Sequence, residues 1–383
     1  MRRLTDLLAT EAGRDFLRAE SVFTDSDAFA RAVVVPKRPF LLEQFNRPLA
    51  PLVYSGQQPY VDYRQSVVGK MTALAALAKP ALAQLARLET IFLWLDTDRA
   101  GSDNLITKFG WPNSSKKGMI RVAPAGINDT EIRHVTMTPE AWTLAMDRLY
   151  GALGNLKQRN PQAKQRYALL KEEGLRQTPQ ELGLFNQALS HFLLSQTATP
   201  PPPSGLMSRV LQSGLLCDGL DELVNHLPHA IAVFNRTVQR LQACNINPQV
   251  RELPPDFFPL FYTCQRDNQR QRLRLWCRHG DHYAITRCKK CGTDYRFYLG
   301  KQKLSTAEIT NTGRWSVNVM LPILMNPFTS GMVAGKSSAL YGIVLNAILR
   351  EVLCQKPIPM LVPTSMAPAN DEPDSLLYRY FHS

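Results

Sequence analysis

Long apolar runs are missing from this 383-residue chain. A helix that crosses a bilayer needs about eighteen or more consecutive apolar residues, and no window reaches that, so no transmembrane helix is expected and membrane is excluded as a partner. Cysteine is scarce, odd in number at seven, and unevenly spread, which argues against a disulfide framework in a chain of this length. Acidic residues are outnumbered, 32 Asp and Glu against 45 Lys and Arg, giving a net charge of +13. Such a surface attracts nucleic acid, acidic membranes or small anionic substrates. The N-terminus, "MRRLTDLLATEAGRDFLRAE", lacks the uninterrupted apolar centre of a secretion signal. Asp6, Glu11, Asp15 and Glu20 break it, and Leu4, Leu7, Leu8 and Phe16 give it the pattern of an amphipathic helix. The cytoplasm is the expected location. Internal repeats are absent.

What is there begins with a strand at 51–55, then a helix from about Ser66 with Ala73, Leu74, Leu77, Ala78 and Leu82 on its apolar face. Pro80 is expected to kink or split it. The run "ETIFLWLDTD" follows, apolar at successive positions, as a strand buried on both faces of a parallel sheet would be. Strand, helix and strand in this order make a right-handed βαβ unit. Ligands in such sheets bind at the carboxyl ends of the strands, where Gly56-Gln57-Gln58 and Asp96-Thr97-Asp98 both fall.

From 138 to 195 the chain is expected to be helical, with Thr138 as N-cap, Pro139 at the first helical position, and a capping box at 178–181. "TATPPPPSG" at 197–205 predicts a stiff, extended surface connection and the clearest internal boundary. Helices resume at Leu206, and Ile231, Phe234, Val238 and Leu241 mark one stripe. Short strands run on to Leu299. The last block holds a buried strand, a Gly-Ser-rich turn and a closing helix, and the tail after Pro357 reads as loosely held. The expected division is 1–137 for the first part of the core and 138–250 for a helical region. A β, zinc-ribbon-like insert at 251–300 follows, then 301–383 for the second part of the core and the tail.

"CRHGDHYAITRCKKCG" gathers Cys277, His279, His282, Cys288 and Cys291. Cys288-Lys-Lys-Cys291-Gly292 has the C-x2-C-G form of a zinc knuckle, in which two thiolates share a tetrahedral metal and the glycine permits the turn. The expectation is one structural zinc on Cys277, His279, Cys288 and Cys291. His282 and Cys264 compete for the fourth place, Cys264 because a hairpin centred near Arg270 would set it opposite Cys277. The plain alternative is free surface cysteines beside ordinary histidines.

"GMVAGKSSALYG" resembles a phosphate loop, but three residues separate Gly331 from Gly335 where that loop needs four. A glycine-rich turn opening a helix can still bind an anion through its N–H groups, with Lys336 adding charge. The alternative is an ordinary helix start capped by Ser337 or Ser338.

In these residues the chain resembles the bacillithiol-biosynthesis cysteine ligase (BshC) family. That family has a strand ending in Thr-Gly-Gln-Gln and then a helical lysine, which Ser55-Gly56-Gln57-Gln58 and Lys70 match. Trp94, Asp96 and Asp98 are similar to its tryptophan strand and acidic cluster. Pro248-Gln249-Val250 and Pro259-Leu260-Phe261 look like its later Gln-Val and Leu-Phe elements. Trp315-Ser316-Val317-Asn318 looks like its Phe-Ser-Pro-Asn element. Its closing Gly-Pro-Gly-Glu falls on Gly335-Lys336-Ser337-Ser338, with Tyr341 in register. The resemblance covers 52–351 in islands. The family's acidic-cluster histidine is absent, its closing glutamate is Ser338, and an arginine is replaced at Pro322.

The resemblance implies an α/β, Rossmann-like parallel core of the class I synthetase kind, nucleotide binding, and a ligase joining an amino acid carboxyl to a small amine or sugar-amine. Asp96 and Asp98 would serve catalysis. Gly56, Gln57, Gln58, Lys70, Asn318, Gly335, Lys336, Ser337, Ser338 and Tyr341 would hold substrate. The competing reading is a non-catalytic relative that engages nucleic acid, tRNA or a protein through its basic surface and zinc ribbon. Nucleic acid is not the favoured partner on charge alone.

Overall fold

The computed structural model describes residues 1–45, 51–78, 88–101, 106–113, 116–154, 156, 160–196, 201–317, 319–363 and 375–382. Its strands, in chain order, are β1 Val22–Phe23, β2 Leu52–Gln57, β3 Glu89–Trp94, β4 Lys108–Asn113, β5 Lys116–Arg121, β6 Thr136–Met137, β7 Gln180–Glu181, β8 Ser204–Leu206, β9 Phe257–Thr263, β10 Arg270–Arg278, β11 Asp281–Arg287, β12 Asp294–Gly300, β13 Trp315–Val317, β14 Gly331–Val333 and β15 Met360–Leu361.

Among the described residues one sheet has six strands in the order β1-β15-β14-β2-β3-β8, and every pairing in it is parallel. Its central strands are apolar at successive positions because both faces are covered. Leu52, Tyr54, Ile91 and Leu93 enter one hydrophobic cluster, shared with the helices Leu227–Ala243 and Lys336–Glu351. Val53, Phe92 and Trp94 enter the other, shared with the helices Gln65–Leu77, Pro139–Ala152 and Leu182–Ser195. Successive side chains of a strand point to opposite faces, so four successive residues of β3, Ile91 to Trp94, serve two cores.

A second sheet has five antiparallel strands, β12-β11-β10-β9-β13. Its inner face, with Leu260, Leu273, Ala284 and Phe297, packs into the first cluster. It is larger than the expected insert, because β13, which lies beyond residue 300, pairs with β9. β4 pairs with β5, and β6 with β7, as separate two-stranded pieces.

Local signals set several helix starts. Thr138 accepts from the Ala141 N–H at 3.2 Å, and Pro139 opens the helix as expected. The capping box at 178–181 does not form: Thr178 Oγ1 donates to the Leu175 carbonyl, and the next helix starts at Leu182 after the short strand β7. Two segments expected at the surface belong to the parallel sheet instead. The end of the proline-rich connection forms β8, the edge strand beside β3 among the described residues. The tail supplies β15, between β1 and β14, and the buried helix Leu376–His382. Pro80, Asn318 and residues 197–200 of the connection lie outside the described residues.

Candidate functional site

β2, β3 and β14 are parallel, so their carboxyl ends share one edge of the sheet. A cavity of about 440 Å³ opens there. Gly56, Gln58, Lys70, Asp98, Gly335, Ser338 and Tyr341 all line it, although almost three hundred residues separate the first from the last. The helix Lys336–Glu351 begins at this cavity with Gly335 as N-cap and no side-chain cap, so the alternative start capped by Ser337 or Ser338 is not the one formed. Tyr341 is half-buried, and desolvation raises its phenol; Tyr54, also in the wall, is buried and raised for the same cause.

The two glutamines are joined to charged side chains by a chain of hydrogen bonds. Lys70 Nζ donates to the Gly56 carbonyl at 2.8 Å and to Gln57 Oε1 at 3.0 Å. Gln57 Nε2 donates to Gln58 Oε1 at 2.6 Å, and Gln58 Nε2 donates to Asp98 Oδ2 at 2.9 Å. Asp98 Oδ1 takes Arg270 Nη1 at 2.7 Å. Arg270 then reaches Ser316 Oγ at 2.9 Å, and its guanidinium lies 3.8 Å from the centre of the Phe261 ring. A carboxamide accepts on one atom and donates on the other, which lets two in series connect an ammonium to a carboxylate. Burial lowers the Lys70 ammonium to about 8. An ammonium has three donors; two are used on Gly56 and Gln57, and the third is available to a guest.

Several expected residues stand elsewhere. Gln57 does not line the cavity; it orients Lys70 and Gln58. Lys336 and Ser337 are exposed and outside the lining. Asp96 is buried at 1 % exposure and faces away from the cavity. Its Oδ1 accepts the Ser208 N–H at 2.8 Å, which ties β3 to the helix Met207–Gln212, and burial raises its carboxyl. The turn after β3 carries both expected acids, but it sends Leu95, Thr97 and Asp98 into the cavity and not Asp96.

Sequence reasoning gave Arg270 no role at the site, and named Phe261 only within the Leu-Phe element of the resemblance. Arg270 sat in "RDNQRQRLRLWCR", where alternation marks a strand but cannot single out one arginine. It also missed Glu131, a buried acid paired with Arg133 at 3.0 Å and accepting from Thr263 Oγ1.

A second cluster joins Cys264, Asp267, Cys288 and Cys291, whose ligand atoms all lie within 4.8 Å of one another. These four residues can hold a metal ion. Cys264 Sγ and Cys291 Sγ are 3.5 Å apart, and Cys288 Sγ is 3.1 Å from Asp267 Oδ2. Four ligands at zinc–sulfur lengths of about 2.3 Å leave sulfurs about 3.8 Å apart, close to the spacing present. The knuckle turn is made: Gly292 N donates to the Cys288 carbonyl at 2.9 Å, with Gly292 at φ +72°.

Cys277 and His279 are not in this cluster. Cys277 pairs with His282 at the turn end of the β10–β11 hairpin, and His279 is in that turn at φ +52°. Cys264 and Cys288 lie at its open end. Seven strand residues separate the two ends, roughly 23 Å. Cys264 lies opposite Gln269, not Cys277, because the β9–β10 turn is centred before Arg270. Cys264-x2-Asp267 repeats the spacing of Cys288-x2-Cys291, and that repeat was the available signal. No protein-family model matches this chain, and neither does any curated protein.

Proposed function

We propose that this chain is an amino-acid-adding ligase on a Rossmann-like, class I synthetase-like scaffold, similar to the BshC family. The observation that carries the reading is convergence. Islands of resemblance drawn from separate stretches of sequence (Gly56 and Gln58, Lys70, Gln249 and Val250, Val317, Gly335, Ser338 and Tyr341) line one cavity. Strand direction brings the Gly56 and Gly335 turns to one edge, and Lys70, Gln249, Val250 and Tyr341 join them there from other elements. The cavity's polar groups suit a zwitterionic amino acid or a sugar-amine. Asp98, already held by Gln58 and Arg270, faces an ammonium; the third Lys70 donor faces a carboxylate. With its ammonium lowered to about 8, Lys70 is also the group nearest to exchanging a proton at neutral pH. Joining a carboxylate to an amine releases water, and a nucleoside triphosphate is the class of co-reactant that would supply the drive.

The same reading takes the Cys264, Asp267, Cys288 and Cys291 cluster as a closed, structural zinc site that fastens the β9–β10 and β11–β12 turns. The test is mass spectrometry of small molecules that co-purify with the chain. It is joined to thermal-shift titration with cysteine, with a glucosaminyl amine, and with both plus ATP. Binding of an amino acid that Lys70→Met abolishes supports the reading, as does a product lighter than its two substrates by one water. A cavity that binds neither class overturns it.

A further inference from the structure

The outward face of the antiparallel sheet is the strongest unexplained surface. Along β10, Arg272, Arg274 and Trp276 point away from the core, since Gln271 and Leu273, which alternate with the two arginines, are buried and Leu275 packs against the core. Their cross-strand partners continue the face. One rung is Trp276, Tyr283 and Tyr298; the next is Arg274, Ile285 and Arg296. The rings of the first rung are 5.5 and 5.4 Å apart centre to centre. Arg296 lies 3.7 Å from the Tyr283 ring centre and 4.9 Å from that of Trp276. Tyr298 is 41 % exposed. Beside the rings runs a groove of about 910 Å³, lined by seven cationic side chains against two carboxylates. Arg274 and Arg287 have acidic neighbours at 3.7 and 3.9 Å, but Arg272, Lys289 and Arg296 pair with no carboxylate among the described residues.

We propose that this face is a binding platform for single-stranded nucleic acid. Cross-strand packing explains three aromatic rings in contact, with Arg296 stacked on two of them, but not Arg272 and Lys289, which pair with no carboxylate among the described residues. Partly exposed rings and cations without a carboxylate partner together fit a strand whose bases are unstacked and whose phosphates lie alongside. A duplex keeps its bases stacked on each other and would use the cations alone. The platform is separate from the ligase reading, since its rings and unpaired cations lie outside the cavity wall; only Phe261 and Arg270 touch both spaces.

The experiment is fluorescence anisotropy with the full chain and a labelled oligouridylate of about a dozen nucleotides. A duplex of equal length, polyglutamate and anionic vesicles serve as competitors, across about 50 to 200 mM salt. The expected result is single-strand binding preferred over all three competitors, with log Kd against log salt rising by about 2 to 4 per decade. Trp276→Ala and Tyr283→Ala should each weaken binding about 5- to 100-fold with the salt slope unchanged. Arg272→Glu with Arg296→Glu should weaken it at least about tenfold and lower the slope by more than 1. These arginines are exposed, so that variant reports even if an aromatic variant fails to fold, which circular dichroism would show. Equal or tighter binding of duplex, polyglutamate or vesicles overturns the proposal. So does absence of single-strand binding at low salt, or wild-type affinity in both the charge variant and a folded aromatic variant.

Discussion

Lys70 is a cationic side chain only 5 % exposed, held by a carbonyl and a carboxamide and by no carboxylate among the described residues. Burial disfavours its charged form, and the folded state therefore releases its proton at about 8 instead of 10.5. Between these values the unfolded chain holds more protons, so stability rises as pH climbs through that window; below pH 8 the full cost is present. The difference is worth about 3 kcal/mol. Lys70→Met removes it but leaves two acceptors without a donor, at about 1–2 kcal/mol. The variant is expected to be more stable than the parent by about 1 kcal/mol at pH 7, and less stable above pH 10. Urea denaturation at the two pH values checks the reversal of sign. A stabilising substitution that abolishes ligand binding would mark Lys70 as kept for use, not for the fold.

Single glycines decide how closely elements approach. Gly174, on the helix Pro161–Arg176, faces Trp142, whose Nε1 donates to the Lys171 carbonyl at 3.0 Å. A Cβ at Gly174 would stand 2.1 Å from the Trp142 ring. Helix propensity favours alanine there by about 1 kcal/mol, but the indole is fully buried and cannot retreat. Gly174→Ala is expected to lose about 2–3 kcal/mol net, because overpacking and the broken indole bond outweigh propensity. The midpoint of chemical denaturation measures it. On the proposed zinc reading, the turns of the antiparallel sheet would depend on the cysteine cluster in a similar way. Cys288→Ser should abolish bound zinc and increase amide exchange at 263–270 and 287–295, while the parallel sheet keeps its protection. Cys277→Ser should leave both metal content and exchange unchanged, since that thiol stands at the far end of the hairpin. Elemental analysis and hydrogen exchange read the two variants side by side.

At the scale of the whole molecule, the two sheets meet across the cavity. Gly56, Gln58 and Asp98 come from the parallel sheet's edge, and Phe261, Arg270 and Val317 from the antiparallel sheet. The Asp98–Arg270 pair is the direct link, with 10 % and 28 % of the Arg270 and Asp98 side chains exposed. Arg270→Ala would leave Asp98 partly buried with only Gln58 and backbone for company. It should cost about 2–4 kcal/mol and loosen both sheets together, because removal of one member of a sheltered pair strands the other. Paired measurement of amide protection in β2 and in β9 tests this; loosening of β9 alone would show that the pair does not couple the sheets.

Local physics made much of the molecule legible. In "ETIFLW" the last four residues are apolar in succession, and a strand covered on both faces uses all four. Thr138-Pro139 starts a helix by chemistry contained within four residues. Cys288-x2-Cys291-Gly292 encodes a turn that brings its own two thiols together. The position of Gly56-Gln57-Gln58 and of Gly335 at the carboxyl edge followed from strand direction alone. What the sequence could not determine was which distant groups these segments meet. Asp98 and Arg270 are 172 residues apart, and nothing local distinguishes Arg270 from its neighbours in the strand. The metal cluster takes Cys264 and Asp267, and not Cys277 and His279, because of where the hairpin turns. Strand register is a property of the paired sheet, and a shift of a few residues exchanges one end of the hairpin for the other. Ser204–Leu206 is a strand only because β3 offers an open edge beside it. Backbone hydrogen bonds between strands are satisfied by whatever lies alongside, and that neighbour is supplied by the tertiary fold.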